Sequence, residues 1–109
     1  MVAICSYRHR LRMGQLARWS AIWASPPGRG SIEVWDEGLV LDGWDDAGRN
    51  EPVRLRWDEV RSVSRARSAE RLNGIGTLVF ETETGNRQVA PLECGVLTML
   101  ERIAHEHLH

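Results

Sequence analysis

The feature that most constrains the fold of this chain is a short alternation of apolar and polar residues that recurs along most of its length. In the segment VRLRW, Val53, Leu55 and Trp57 share one face, and two arginines share the other. A period of two is typical of a β-strand with one buried face. Similar runs, separated by turn-forming residues, predict a mainly β fold with seven antiparallel strands, at residues 17–23, 31–35, 39–44, 53–57, 60–67, 77–84 and 87–92.

The first of these runs also admits a helical interpretation, because Leu16, Trp19 and Trp23 have helical spacing. The alternation of Trp19, Ala21 and Trp23 favours a strand instead. Residues 25–28 read SPPG, and two prolines followed by a glycine end the run abruptly. We therefore predict a strand here, and a helix in this segment would contradict the predicted fold.

The second and third runs flank the segment DEG, which is a hairpin signal. Glycine suits the positive φ that tight hairpin turns require. We predict a two-residue loop at Glu37-Gly38, which pairs Val34 with Leu41 on the core face. The same register pairs Trp35 with Val40 on the outer face.

The last segment has a different period. Its apolar side chains recur every three or four residues, which is typical of an amphipathic helix. We predict a helix over about residues 94–107 that packs on the sheet, and a last hairpin around Gly85-Asn86. The helix residues expected in the core are Val96, Met99, Leu100 and Ile103, and their expected partners are Leu55, Leu78 and Phe80.

Length and charge limit the classes of function. A chain of 109 residues is long enough for one domain with one core. The net charge of −1 gives no overall field that would attract nucleic acid or anionic lipid. All 14 basic residues are arginine, which suggests a GC-rich, bacterial genome. Three arginines precede Gly14, so we expect an N-terminal basic arm at residues 1–14 and a single domain at residues 15–109.

The cysteines and the hydropathy favour a cytoplasmic location. Cys5 and Cys94 are far apart in the sequence and form neither a disulfide framework nor a CxxC metal motif, so we expect reduced thiols. No apolar run approaches the ~18–20 residues of a membrane span. No clean apolar stretch follows the N-terminal arginines, so a signal peptide is not expected.

No group of residues predicts an enzyme. Cys94 opens the predicted helix, but His105 lies about 16 Å along the same helix, which is too far for a cysteine–histidine pair. His105 and His109 have a spacing that can hold a metal, yet no third ligand is near in sequence, and a solvated helix end is favoured. Phosphate-loop, nucleophile-elbow and dinucleotide motifs are also missing. We expect a non-enzymatic protein with no metal, no cofactor and no small-molecule substrate.

Four segments carry a resemblance to a known family: VWDEGLVL, VRLRWDEVRSV, TLVFETETGNRQVA and the helix from Cys94. In this order they resemble the small bacterial PH-like and GRAM-like domains of the pleckstrin-homology superfold, over residues 17–108. The resemblance implies a bent, partly open barrel with the helix at one end. The superfold hosts lipid, peptide and protein binding. Its phosphoinositide-binding members have a basic first hairpin loop, and a single arginine at residues 24–30 disfavours that activity here.

The arginine-rich stretch PVRLRWDEVRSVSRAR has two interpretations. Arg54 and Arg56 share the outer face of their strand, and we expect them next to Asp42 and Trp44. Cross-strand ion pairs and an arginine–tryptophan stack would then account for both without a ligand. A patch that binds an acidic partner or nucleic acid is the alternative for the later arginines. Residues 58–76 lack the interleaved aromatic residues of single-strand binders, so we expect no sequence-specific nucleic-acid binding.

The tryptophans give the main candidate site. Alternation puts Trp35, Val40 and Trp44 on the outer face, and a monomer rarely leaves such a patch open. Either a second subunit or the arm at residues 1–14 could cover this patch, and the second subunit is favoured. We therefore expect protein–protein contact and self-association. Peripheral membrane or anionic-lipid binding is the alternative. The candidate interaction residues are Trp35, Val40, Trp44, Arg54 and Arg56, whereas Trp19, Trp23 and Trp57 are expected in the core.

Overall fold

The computed structural model describes residues 14–24, 27–45, 48 and 52–108. This part of the chain is mainly β, with seven strands and one C-terminal helix. The strands are β1 (Gln15–Ala24), β2 (Gly28–Trp35), β3 (Gly38–Asp45), β4 (Val53–Arg56), β5 (Val60–Arg65), β6 (Leu78–Thr82) and β7 (Gly85–Pro91), and helix α1 is Val96–His107. Apart from Gly14, the predicted N-terminal arm lies outside the described residues.

All seven strands belong to one antiparallel sheet, in the order β4-β3-β2-β1-β7-β6-β5. Strands β4 and β5 are therefore the two edges of the sheet, yet only the 3-10 turn Trp57–Glu59 joins them along the chain. Because this connection is so short, it brings the two edges together at one end, and the sheet curls into a half-barrel. The predicted fold class is confirmed.

The first run is a strand, as predicted, and it lies in the middle of the sheet between β2 and β7. Opposite Ala21 lies Gly30, and opposite Gly30 lies Gly43. A Cβ atom on Gly43 would overlap the carbonyl oxygen of Arg29. The backbones of β2 and β3 thus approach too closely here for a side chain, as happens where a sheet bends sharply.

The β2–β3 hairpin has a different register from the predicted one. Its two-residue loop is Asp36-Glu37 rather than Glu37-Gly38, and Val34 lies opposite Leu39 rather than Leu41. The predicted pairing of this hairpin is therefore wrong by two residues. Because the shift is even, every side chain keeps its predicted face.

The position of Gly38 explains the two-residue shift in the register of the β2–β3 hairpin. Gly38 is the first residue of β3 rather than part of the turn, and a Cβ atom there would overlap the carbonyl oxygen of Leu55 in β4. The residue level with Trp35 is consequently Gly38 and not Val40, which lies opposite Glu33. The β6–β7 hairpin repeats the pattern, because Gly85 begins β7 and pairs with Thr82 instead of occupying the turn.

Helix α1 contacts β5 and β7. The prediction that Met99 is buried is wrong, because its side chain is 45% exposed. The buried side chains of α1 are instead spaced four residues apart and form one stripe, Val96, Leu100 and Ala104. They belong to one core cluster with the predicted partners Leu55, Leu78 and Phe80, and Ile103 is partly buried against it.

Three tryptophans lie in the core, as predicted: Trp19, Trp23 and Trp57 are each 6% exposed. The Nε1 of Trp57 donates a hydrogen bond to the carbonyl oxygen of Trp35 (3.2 Å). Its backbone N–H donates to the carbonyl oxygen of Glu37 (2.9 Å). These two bonds tie the turn between β4 and β5 to the β2–β3 hairpin.

The connection between β5 and β6 folds back over the sheet. It contains two 3-10 turns, Ser68–Glu70 and Leu72–Gly74, and the second contacts β1 and β7. Thr77 is 1% exposed and Ala90 is fully buried, although strand alternation puts both on the face opposite the core. This connection therefore covers the outer face near Thr77 and Ala90. It does not extend over the whole outer face of β2, β3 and β4.

Candidate functional site

The five predicted interaction residues lie on the outer face of β2, β3 and β4, and the structure divides them into two groups. The first group lines one cleft and consists of Trp35, Val40, Arg54 and Arg56. The second is Trp44 alone, six residues along β3 from Gly38, or about 20 Å from the level of Trp35. The prediction of a single patch that contains both tryptophans is therefore wrong.

A buried carboxylate holds Trp35. The Nε1 of Trp35 donates a hydrogen bond to Glu33 Oε1 (3.0 Å), and Glu33 is only 4% exposed although it lies on the outer face. Arg18 Nε lies 3.9 Å from Glu33 Oε2 and donates to the hydroxyl of Ser31 (3.2 Å). Gly14 backs the indole, since a Cβ atom there would lie 3.7 Å from Cε3 of the ring. These contacts fix one orientation of the half-buried indole.

Gly38 leaves a notch between Trp35 and the arginines of β4. It lies opposite Arg56 and level with Trp35, and it has no side chain to fill the space between them. Neighbouring strands are ~4.8 Å apart, so the two walls stand about 10 Å from each other. The cleft has a volume of about 280 Å³. We call it the Gly38 notch, and the lining residues that matter below are Trp35, Glu37, Gly38, Val40, Arg54 and Arg56.

Both arginines of β4 are exposed, as predicted, but their neighbours differ. Arg54 lies opposite Val40, and Arg56 lies one row closer to the hairpin loop. Trp44 lies further along β3, so the prediction that it neighbours these arginines is wrong, whereas Asp42 lies diagonally across from Arg54 on the same face. The pairing of β4 with the first half of β3 explains the difference.

The basic side chains around the notch are matched by acidic ones. Arg56 Nη2 pairs with Asp58 Oδ2 at 3.1 Å, and both side chains are 68% exposed. An exposed pair of this kind contributes little energy and exchanges readily. Arg54 has no ion pair with a carboxylate of the described residues. Glu37 also lines the notch, so the two arginines are matched there by the carboxylates of Glu37 and Asp58.

The other end of this face is apolar and basic. Trp44 is 55% exposed and lies opposite Arg29, which in turn lies opposite Ile22. The three residues form one cross-strand row that we call the Trp44 patch. Leu72 of the β5–β6 connection and Pro27 line the same open cleft, which has a volume of about 540 Å³.

Two later arginines of the arginine-rich stretch have acidic partners. Arg61 Nη2 lies 3.2 Å from Glu83, and Arg65 Nη2 lies 2.9 Å from Glu101 on α1. Arg65 also donates to the hydroxyl of Thr98 (3.2 Å). These contacts account for both side chains within the fold.

His105 and His107 are exposed at the end of α1, as predicted for a solvated helix end, and each also has a contact within the fold. His105 Nε2 lies 3.2 Å from the carbonyl oxygen of Val63, and the ring of His107 stacks on Trp57. Cys94 is an exposed free thiol. Within the described ranges, no three His, Cys, Asp or Glu side chains come together as a metal site.

Sequence reasoning missed the residues that shape the notch. Glu33 lies between Ile32 and Val34, so the alternation assigned it to solvent. Its burial depends on Arg18 and Trp35, and the contact with Arg18 cannot be inferred without the strand order. The available signal was a carboxylate two residues before a tryptophan on the same face, which permits a hydrogen bond along one strand.

Comparisons with solved structures find the same fold in other proteins. The C-terminal domain of an unknown protein from Leishmania infantum has a TM-score of 0.63 at 12% identity, covering 89% of this chain and 88% of that chain. A chain of the 8S snRNP assembly intermediate has a TM-score of 0.61 at 11% identity, covering 89% and 84%. No family model and no curated protein matches the sequence. At such low identity the likeness concerns the fold alone.

The length of the helix is relevant to whether this part of the chain could span a membrane. Helix α1 has 12 residues, and no helix in this part of the chain is long and apolar enough to cross a bilayer.

Proposed function

We propose that this chain is a non-enzymatic binding module of PH-like architecture that acts through protein–protein contact, including self-association. The observation that carries the proposal is Trp44, whose side chain is 55% exposed on the outer face. A tryptophan buries ~150–250 Å² when it is covered, and tryptophan and arginine are enriched among the residues that dominate interfaces. Arg29 and Ile22 lie beside Trp44 in the same row, which supports a contact of several residues.

The architecture supports the PH-like part of the proposal. A curled sheet of seven antiparallel strands followed by one helix is the arrangement that the resemblance implies. The exposed free thiol of Cys94 supports a reducing, cytoplasmic setting, and the arginine-only basic composition supports a bacterial source.

Static light scattering tests self-association. We expect the native protein to form a dimer, since two-fold symmetry is the commonest in homo-oligomers. Trp44→Ser should convert the dimer to a monomer. Met99→Ser is the matched control, because Met99 is 45% exposed on α1 and lies away from the patch. Thermal melts should show that both variants stay folded, and a native protein that is monomeric at every concentration would contradict self-association.

A peripheral membrane module is the second candidate, because an exposed tryptophan beside an arginine also suits an anionic bilayer surface. Sedimentation with phosphatidylserine vesicles separates the two candidates. Salt-sensitive pelleting that is lost in both Trp44→Ser and Arg29→Glu would favour the membrane. If the native protein stays in the supernatant, protein–protein contact is favoured.

A further inference from the structure

We propose that the Gly38 notch is the docking site of the N-terminal arm of the same chain, with Leu11 and Met13 as the side chains that pack in it. The inference goes beyond the proposed function, because it concerns the Trp35 end of the outer face and leaves Trp44 free for a partner. The sequence admits two covers for this face, a second subunit and the arm. Since the structure separates the two tryptophans, each has its own cover.

The described part of the chain begins beside the notch. The carbonyl oxygen of Gly14 accepts a hydrogen bond from the backbone N–H of Asp36 in the β2–β3 loop (3.3 Å). Gly14 also backs the indole of Trp35, and the same indole lines the notch. The φ of Gly14 is 83°, a left-handed conformation that turns the chain away from the direction of β1. The arm therefore starts at the indole wall of the notch.

The arm is long enough to cross the notch. The two walls stand about 10 Å apart, and an extended chain covers ~3.3–3.6 Å per residue. Met13 directly precedes Gly14 and reaches the indole wall, whereas Leu11 reaches across to the β4 side. A tethered segment so close to its site has a high effective concentration there, which favours the arm over a separate molecule.

The sequence of the arm fits the apolar side chains of the notch. Residues 10–13 read RLRM, in which arginine and apolar residues alternate. In an extended segment, Leu11 and Met13 share one face and the two arginines share the other. The indole of Trp35 offers packing alone, because its Nε1 already donates within β2, and Val40 also lines the notch. The face of the arm that carries Leu11 and Met13 therefore matches this surface.

The charges at this end of the sheet suit the arginines of the arm. Four acids lie in or beside the notch, against the two arginines of β4: Asp36, Glu37, Asp58 and Glu59. Asp36 and Glu37 are exposed at its rim, and neither has an ion pair within the described ranges. When Leu11 and Met13 face the notch, Arg10 and Arg12 pass this rim. The excess of acids therefore favours a basic arm there.

Disulfide cross-linking in the full chain tests the placement. The background is Cys5→Ser/Cys94→Ser, in which Leu11→Cys is combined with Val40→Cys. A disulfide requires Cα atoms within about 7 Å of each other. We expect mild oxidation to join these two positions within one chain at least about tenfold faster than it joins Leu11→Cys to Met99→Cys, an exposed control on α1. Equal rates for the two pairs would overturn the inference, and so would a disulfide between two chains.

Trypsin gives a second measurement that needs no added cysteine. The bond between Arg12 and Met13 is a trypsin site, and docking protects it because cleavage requires an open segment. Val40→Ser removes an apolar contact and should speed the loss of residues 1–12 by at least about fivefold, measured by intact-mass spectrometry. Met99→Ser is the matched control and should leave the rate unchanged. Thermal melts verify that both variants stay folded, and equal rates in the native protein and Val40→Ser would overturn the inference.

The same measurement separates this inference from self-association. Trp44→Ser should lose residues 1–12 at the native rate, because the Trp44 patch lies about 20 Å from the notch. A monomeric native protein with a protected arm would overturn self-association alone. A dimer whose arm is cleaved as fast as in Val40→Ser would overturn arm docking alone. If Trp44→Ser both dissociates the dimer and exposes the arm, a second subunit holds the arm and docking within one chain is overturned.

Discussion

The imidazole of His107 stacks on the indole of Trp57, with ring centroids 4.8 Å apart and an angle of 14° between the ring planes. His107 Nδ1 donates to the carbonyl oxygen of Ile103 (2.9 Å), which fixes the ring on its own helix. Trp57 in turn donates to the carbonyl oxygen of Trp35. The end of α1 is thereby joined to the turn between β4 and β5, and through it to the wall of the Gly38 notch.

The first prediction concerns this stack. His107→Ala should lower the free energy of unfolding by ~0.5–1.5 kcal/mol, the usual contribution of an aromatic pair beyond burial. Urea denaturation followed by tryptophan fluorescence measures the change. Glu106→Ala removes an exposed neighbour on the same turn and should stay within ~0.5 kcal/mol of the native protein. Equal effects of the two changes would show that the stack contributes nothing.

The second prediction compares two adjacent helix residues. Leu100 is fully buried, and Leu100→Ala should cost ~2–5 kcal/mol because it leaves a cavity in the core. Met99 is 45% exposed, and Met99→Ala should change stability by no more than ~0.5 kcal/mol. Denaturant midpoints of the two variants, measured in parallel, give the two changes in stability. A large loss in Met99→Ala would mean that the helix is rotated from the described orientation.

The third prediction concerns the buried carboxylate. Glu33→Ala should cost ~1–3 kcal/mol, because it leaves the Nε1 of Trp35 without its acceptor in a nearly dry position. It should also weaken the near-ultraviolet circular dichroism of the indole. Glu33→Gln keeps an acceptor oxygen and should lose less of both signals. A Gln variant that matches the Ala variant would indicate that the contact with Arg18 matters more than the indole bond.

The fourth prediction concerns the bend in the sheet. Gly43→Ala should cost ~1–3 kcal/mol, as overpacking does, because the new methyl group meets the backbone of Arg29. Gly76→Ala is the control, because its Cβ would meet only the end of the Leu97 side chain, which can turn away. Thermal denaturation of the two variants gives the comparison. Equal losses would mean that the close approach of β2 and β3 is not rigid.

The succession of seven strands and one helix along the chain could be predicted from the sequence, because alternation and turn residues are local signals. The wall positions of the notch could also be predicted as outer-face residues, since Trp35, Val40, Arg54 and Arg56 kept their faces when the register moved. An error of two residues preserves the face of every side chain. The prediction therefore located the right surface while pairing the wrong residues across it.

Other features depend on contacts between distant segments and could not be predicted. Turn chemistry predicts Gly38 in a turn, whereas the backbone of Leu55 in another strand is what excludes a side chain there. Helical spacing predicts Met99 in the core, whereas the position of the sheet under α1 buries Ala104 and leaves Met99 exposed. In both cases the contact that determines the position of the residue is made by an element distant in sequence.

Helix α1 covers one edge of the sheet. Strand β5 is an edge of the sheet, and an open edge is a template on which another chain can form a β-ladder. His105 donates to the carbonyl oxygen of Val63 on that edge, and Arg65 of the same strand is bound to Glu101. The helix therefore shields β5 as well as filling the core. When α1 detaches, the edge of β5 becomes open to pairing with another chain, so we expect association through this edge to depend on how tightly the helix stays docked.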